Sequence, residues 1–215
     1  MVIAFDFDGT LGASFGLICY CMAETLKKYD IVYDREALFK YFGPTEKGIL
    51  IRILGKEKGE KAFKEFLKCY EENHTKYLPK LFFGVKRTLK YLKRHHITTI
   101  LLTGRSLETS LISFKYFNID QYFDSVFAGS IEGVNKPENL SLAAKKYNIS
   151  KEELIYIGDS SKDIESCKIA GVKLLSLTFH NKKKKARFAD LNPGNIYLNY
   201  FQLLRRIKKE IKNHQ

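Results

Sequence analysis

Val2, Ile3, Ala4 and Phe5 form a short apolar run that stops at Asp6-Phe7-Asp8-Gly9-Thr10. That is the pattern of a buried strand feeding a polar loop. Helical periodicity then holds for roughly seventy residues. Leu17, Ile18, Cys21, Met22 and Leu26 mark one apolar face, and Asp34 suits an N-cap for a helix over 35–42 that stops at Gly43-Pro44. Ile49, Leu50, Ile53 and Leu54 mark a third helix, closed by Gly55. Ala62, Phe63, Phe66, Leu67, Tyr70, His74 and Tyr77 mark a long fourth one that ends near Pro79. No strand run interrupts this stretch, which reads as a small helical unit.

From Gly84 the rhythm changes to helices alternating with strands. A helix over 85–94 turns Leu89 and Leu92 inward, and a strand over 97–102 ends at Thr103-Gly104-Arg105. Ser106 caps a helix through Phe117. A short strand at 125–128 follows, and Asn135-Lys136-Pro137-Glu138 opens another helix. Ser150 and Glu153 have capping-box spacing but precede a strand, Leu154 to Ile157, so they mark a single turn. That strand ends at Gly158-Asp159. A helix over 161–170 stops at Gly171, a strand fills 172–177, and an amphipathic helix covers 199–211. Strands alternating with helices predict an α/β protein whose parallel sheet is covered on both faces.

Composition narrows the class. With 215 residues, 45% of them hydrophobic, the chain is long enough for a real core without disulfides or metal staples. Its 4 Pro are too few for a disordered chain. No apolar run approaches the ~18 residues of a membrane span, so no membrane partner is expected. The N-terminus lacks a basic stretch ahead of an apolar one, so no secretory signal is read. Cys19, Cys21, Cys69 and Cys167 form no CxxC pair and are expected as reduced thiols, in a cytoplasmic protein. The net charge of +13 raises the question of nucleic acid. Lys and Arg are scattered along the chain, however, with one short run at 182–185 and a C-terminal stretch, and the spacings of nucleic-acid modules are missing. A solvated basic surface is the favoured reading, and an anionic small substrate is equally compatible.

Ligands of parallel sheets bind beyond the C-terminal strand ends, and there the unusual polar groups converge. Asp6 and Asp8, two residues apart after a buried strand, suit a hard divalent cation, or a division of labour in which one attacks and the other moves protons. Each also has an everyday use as a turn residue. Thr103 and the Gly104 N–H are placed to donate hydrogen bonds to phosphoryl oxygens. Lys136 supplies a positive charge suited to a charge-spread transition state. Asp159 and Asp163 complete an oxygen-rich Mg²⁺ shell.

Asp6-Phe7-Asp8-Gly9-Thr10, Thr103-Gly104-Arg105, Lys136-Pro137 and Gly158-Asp159-Ser160-Ser161-Lys162-Asp163 resemble, in order, the motifs of the haloacid dehalogenase superfamily. The helical stretch and Phe42-Gly43-Pro44-Thr45 resemble the cap and cap loop of its phosphoglycolate-phosphatase-like branch. The resemblance implies a Rossmann-like three-layer core, residues 1–13 and 81–215, with a small inserted helical cap domain, residues 14–80. It implies Asp6 as nucleophile, Asp8 as general acid and base, and Thr103 and Lys136 as phosphate binders. Asp6, the Asp8 backbone carbonyl and Asp159 are the implied Mg²⁺ ligands, with Asp163 in support.

The chain departs from the branch at several points. Ala13 stands where members carry an Asp, Gly104 where they carry Asn, Asn139 where a second Pro is usual, and Phe83 where Pro is common. Arg105 reads first as a solvated or helix-start arginine and second as a contact to an anionic substrate. The candidate substrate-binding set is therefore Thr103, Gly104, Arg105 and Lys136. The expected activity is a Mg²⁺-dependent phosphatase acting on a small, phosphoglycolate-like metabolite through an aspartyl-phosphate. The alternatives are a phosphomutase of the β-phosphoglucomutase type and a basic nucleic-acid-binding protein on an inactive scaffold.

Overall fold

A computed structural model describes residues 1–32, 40, 41 and 43–214. The helix expected at 35–42, with its Asp34 cap, falls outside them except for Lys40 and Tyr41, as does Phe42 of the expected cap loop.

The sheet is parallel throughout, in the order β3-β2-β1-β4-β5-β6. The strands are β1 (Val2–Phe5), β2 (Thr98–Leu102), β3 (Ser125–Phe127), β4 (Leu154–Gly158), β5 (Lys173–Leu177) and β6 (Ile196–Tyr197). β1 pairs with both β2 and β4, Val2 lying opposite Thr98 on one side and Leu154 on the other. Every residue of β1 is buried, as a strand covered on both faces requires.

Alternate residues enter two separate cores. Ile3, Phe5, Leu101, Ile155 and Leu175 face α4 (Val85–Arg94) and α9 (Tyr200–Asn213), through Leu89, Leu92, Leu203 and Ile207. Val2, Ala4, Ile100, Leu102 and Tyr156 face α6 (Lys136–Lys146) and α7 (Ser161–Ala170), through Leu140, Ala143, Ile164 and Cys167. This is the three-layer Rossmann-like α/β architecture.

Between β1 and α4 lie α1 (Phe15–Lys27), α2 (Glu46–Leu54) and α3 (Lys56–Tyr77), and α3 packs on the other two. Their apolar faces join the first core through Leu17, Met22, Leu50, Phe66 and Tyr70. The same helices reach α5 (Leu107–Phe117): the Tyr70 hydroxyl lies 3.0 Å from Ser113 Oγ, and His74 Nε2 lies 3.1 Å from it. Among the described residues no helix is long and apolar enough to cross a membrane, and the four cysteines form no disulfide.

Two elements escape the sequence pattern. The basic run at 182–185 opens α8 (Lys182–Leu191), capped by Asn181, whose side chain accepts the Lys184 N–H at 2.9 Å. Its single buried apolar residue, Phe188, is too little for a visible periodicity. β6 is two residues long and takes its place from pairing with β5.

Candidate active site

Asp6, Thr103 and Asp159 follow the last residues of β1, β2 and β4, so three neighbouring strand ends present them together. The Asp6 N–H continues the ladder to the Ile157 carbonyl at 2.9 Å, which fixes its backbone beside β4. The chain then folds back: the Phe7 carbonyl accepts from Thr10 at 3.1 Å and from Leu11 at 2.8 Å. Gly9 takes φ 74° in this loop, and a Cβ there would collide with the Asp159 carboxylate. The buried Tyr200 hydroxyl of α9 braces the loop by donating to the Thr10 carbonyl at 2.9 Å.

Asp6, Asp159 and Asp163 each offer a carboxylate oxygen, and these lie within 4.8 Å of one another. Lys136, the first residue of α6, sets its Nζ 2.6 Å from Asp163 and 3.4 Å from Asp6. Asp163 is held in place as the capping-box residue of α7, its Oδ2 accepting from the Asp159 and Ser160 N–H groups at 3.0 and 2.8 Å. Burial pushes the Asp6 carboxyl up to about 7 against the pull of Lys136, with Asp163, Asp8 and Asp159 adding to the rise. Burial alone would also raise Asp163, but Lys136 and the Ser160 hydrogen bonds hold it below the usual carboxylate range. Desolvation opposes the Lys136 charge, yet Asp163 and Asp6 keep its pKa above that of a free lysine.

The Asp8 carboxylate stands apart from this triad. It is half-buried and accepts from the Ser14 hydroxyl. Ala13 is exposed, and the Asp8 contact comes from its neighbour Ser14. Thr103 is buried, its hydroxyl accepting the Arg105 N–H at 3.4 Å. Gly104 and Arg105 line a cavity of about 170 Å³ together with Asp8, Lys136 and Ser160. Asn139, in place of a second Pro, anchors α6 by donating to the Ala128 carbonyl at 2.8 Å.

Two expectations need correction. Arg105 is not solvated: it is 2% exposed, its guanidinium lies 4.3 Å over the Phe7 ring, and it donates to the Tyr70 hydroxyl and, at 2.9 Å, to the Thr109 carbonyl. A buried strand-end loop with phenol and carbonyl acceptors can hold a guanidinium that the local sequence leaves free. The basic run at 182–185 is likewise not wholly solvent, because Lys184 pairs with Asp159. Burial raises the Asp159 pKa and Lys184 opposes that rise.

Glu46 escaped the sequence reading altogether. It is buried, accepts the Ser106 N–H at 2.8 Å and the Thr109 hydroxyl at 3.0 Å, and so caps α5 from another helix. Its only signal is its place beside Pro44-Thr45, where Thr45 caps α2 by accepting the Gly48 N–H.

A family model described as haloacid dehalogenase-like hydrolase matches residues 3–177, and the chain belongs to that family. It is 32% identical over 174 residues to pyrophosphatase PpaX of Halalkalibacterium halodurans, covering 80% of each chain. It is 31% identical over 176 residues to a phosphoglycolate phosphatase of Aquifex aeolicus, covering 80% of this chain and 82% of that one. In fold it matches the crystal structure of a predicted phosphoglycolate phosphatase from Haemophilus somnus, with a TM-score of 0.75 at 22% identity over 96% of this chain and 97% of that one. Membership among hydrolases whose relatives are named phosphatases supports a phosphatase activity.

Proposed function

We propose that the protein is a Mg²⁺-dependent phosphatase that hydrolyses a small phosphorylated metabolite, of about the size of phosphoglycolate, through an aspartyl-phosphate on Asp6. The observation that carries this reading is the placement of Lys136 between Asp6 and Asp163, beside Asp159, at the C-terminal ends of β1 and β4.

The triad fits a hard divalent cation. Its donors are carboxylate oxygens with no soft ligand among them, which suits Mg²⁺ and not Zn²⁺. Asp6, Asp159 and the Asp8 backbone carbonyl would hold the ion, with Asp163 in support; the ion supplies positive charge that offsets the carboxylates and the phosphoryl oxygens. In the first step an Asp6 oxygen bonds to phosphorus as the ester P–O bond breaks, and Asp8 gives a proton to the departing oxygen. In the second step Asp8 takes a proton from water, whose oxygen bonds to phosphorus and releases the Asp6 carboxylate. Lys136 neutralises the phosphoryl group during both transfers, and Thr103 and Gly104 donate to its oxygens. Residues 14–80 act as a cap over a core of residues 1–13 and 81–215, hinged near residues 12 and 81–84, and exclude water from the aspartyl-phosphate until release is due.

The test is phosphate release from a panel of phosphorylated metabolites with Mg²⁺, followed by intact-mass measurement of variants. Asp6→Asn is expected to trap no phosphate, and Asp8→Asn to accumulate phosphoenzyme from p-nitrophenyl phosphate. Full turnover after exhaustive chelation, or phosphate trapped on the Asp6 variant, would overturn the scheme. A wild-type phosphoenzyme that persists until a sugar phosphate arrives would replace the phosphatase with a mutase.

A further inference from the structure

α1 and α3 pack along a seam with three successive contacts between them. At one end the Tyr20 and Tyr77 rings stack at 4.4 Å. In the middle the Cys21 and Cys69 sulfurs lie 2.9 Å apart, inside ordinary non-bonded contact. At the other end, just beyond α1, Lys28 pairs with Glu65 at 3.1 Å and the Tyr29 hydroxyl donates to Glu65 at 3.2 Å. Contacts on both sides therefore hold the thiols in register. Cys21 is fully enclosed and shares the first core with Leu17, Met22 and Phe66. Cys69 is partly exposed, and the Asn73 amide donates to its carbonyl at 3.0 Å.

This arrangement supplies what a disulfide needs. The sulfurs have to close by about 0.9 Å to reach the ~2.05 Å of a bond, a shift within the range of side-chain torsions. Cys69 offers an external oxidant a way in. Burial raises both thiols above their ordinary pKa; the contact between them offsets part of that rise at Cys69 and adds to it at Cys21. Cys69 is thus the first to ionise and attack. With glutathione disulfide as oxidant, the Cys69 sulfur bonds to one glutathione sulfur and the other leaves as a thiolate. Cys21 then attacks the Cys69 sulfur and releases the second glutathione. The two protein thiols give up two electrons and two protons, which reduce the oxidant to two glutathione thiols. The second step is intramolecular between sulfurs already in contact, so the mixed disulfide is short-lived.

We propose that Cys21 and Cys69 are a redox pair whose reversible disulfide staples α1 to α3. The residues stand 48 positions apart, so the bond closes a ring that contains α2 and restricts the unfolded chain. The staple acts on the stability of the helical unit. It rests on the geometry of that unit and not on the phosphatase reading.

The test exposes the reduced, folded protein to millimolar glutathione disulfide, followed by denaturation, alkylation and mass spectrometry without reductant. The expected result is two alkylated thiols in place of four, with the Cys21 and Cys69 peptides linked. Bridging should be at least tenfold faster in the folded protein than in the urea-unfolded chain, because only the fold brings the sulfurs together. The melting temperature should rise by roughly 5–10 °C and return on addition of dithiothreitol. Cys21→Ser should instead keep glutathione on Cys69, and Cys69→Ser, at the partly exposed position, should form no link to Cys21. Four alkylated thiols in the folded protein, glutathione retained on wild-type Cys69, or a link to another cysteine overturns the pair. A linked protein whose melting temperature does not move overturns the staple.

Discussion

Part-buried Lys136 and buried Arg105 line one cavity, and they are held in opposite ways. Lys136 contacts two carboxylates directly, at 2.6 and 3.4 Å, and its partners follow strand ends or cap a helix of the core. Arg105 keeps its two carboxylates at 3.9 Å, takes its phenol partner from α3, and leaves two nitrogens unfilled. The first arrangement suits a group that is the same in every substrate, the phosphoryl group, because direct carboxylate contacts hold Lys136 in place before the substrate binds. The second suits the part of the substrate that differs between enzymes. Its guanidinium is braced by Tyr70, Thr109 and Ser113, all from helices outside the sheet.

The comparison predicts effects that fall off from the first region to the second. Asp6→Asn is expected to lower turnover by roughly four orders of magnitude or more with the fold retained, as for loss of a covalent nucleophile. Steady-state rates alongside circular dichroism check this, and near-normal turnover would break the assignment of the chemistry to the Lys136 side. Lys136→Met should lower kcat by about 10²–10³, the scale of a lost electrostatic donor. A change confined to KM would show that Lys136 only binds.

On the Arg105 side the expected effects are smaller and of a different kind. Tyr70→Phe removes the phenol oxygen that accepts from Nη2 and should raise KM a few-fold, with kcat within about twofold and a stability loss of about 1 kcal/mol. A large fall in kcat would mean that Arg105 belongs with the chemistry after all.

The smallest effect concerns His74, which shares Ser113 with Arg105 and stacks on Tyr116 at 4.3 Å. Burial lowers its pKa to about 4, with Arg105 contributing. Between about 4 and the unfolded value of about 6.5 the unfolded chain binds the extra proton, so stability is full above that window and falls as pH drops through it. About 2 kcal/mol should be lost between pH 7 and pH 5, and His74→Phe should flatten that slope in denaturant titrations. An unchanged slope would place His74 outside the cluster behind Arg105.

The legibility of the two regions differs for the same reason. Asp6, Thr103 and Gly158-Asp159 each end an apolar run, so strand patterning locates them and the parallel topology brings them together. Arg105 gave no such signal, since a lone arginine before a helix cap is usually wet, and its burial depends on Phe7 and Tyr70, which lie far off in sequence. Lys184 was hidden inside a lysine run whose other members are exposed.

Hydrophobic periodicity and capping chemistry act within a few residues, and for that reason the sequence by itself determined the alternation of elements and the doubly covered parallel sheet. The same local rules set the carboxylates at the strand ends. The two-residue β6, the docking of α8 through Phe188, the cap that Glu46 provides to α5, and the Arg105–Glu46 pairing were decided only by the tertiary structure. Glu46 and Arg105 stand 59 positions apart along the chain. What turns these two ordinary surface-type residues into a buried ion pair is desolvation and close packing between separate helices and loops, which no local pattern records.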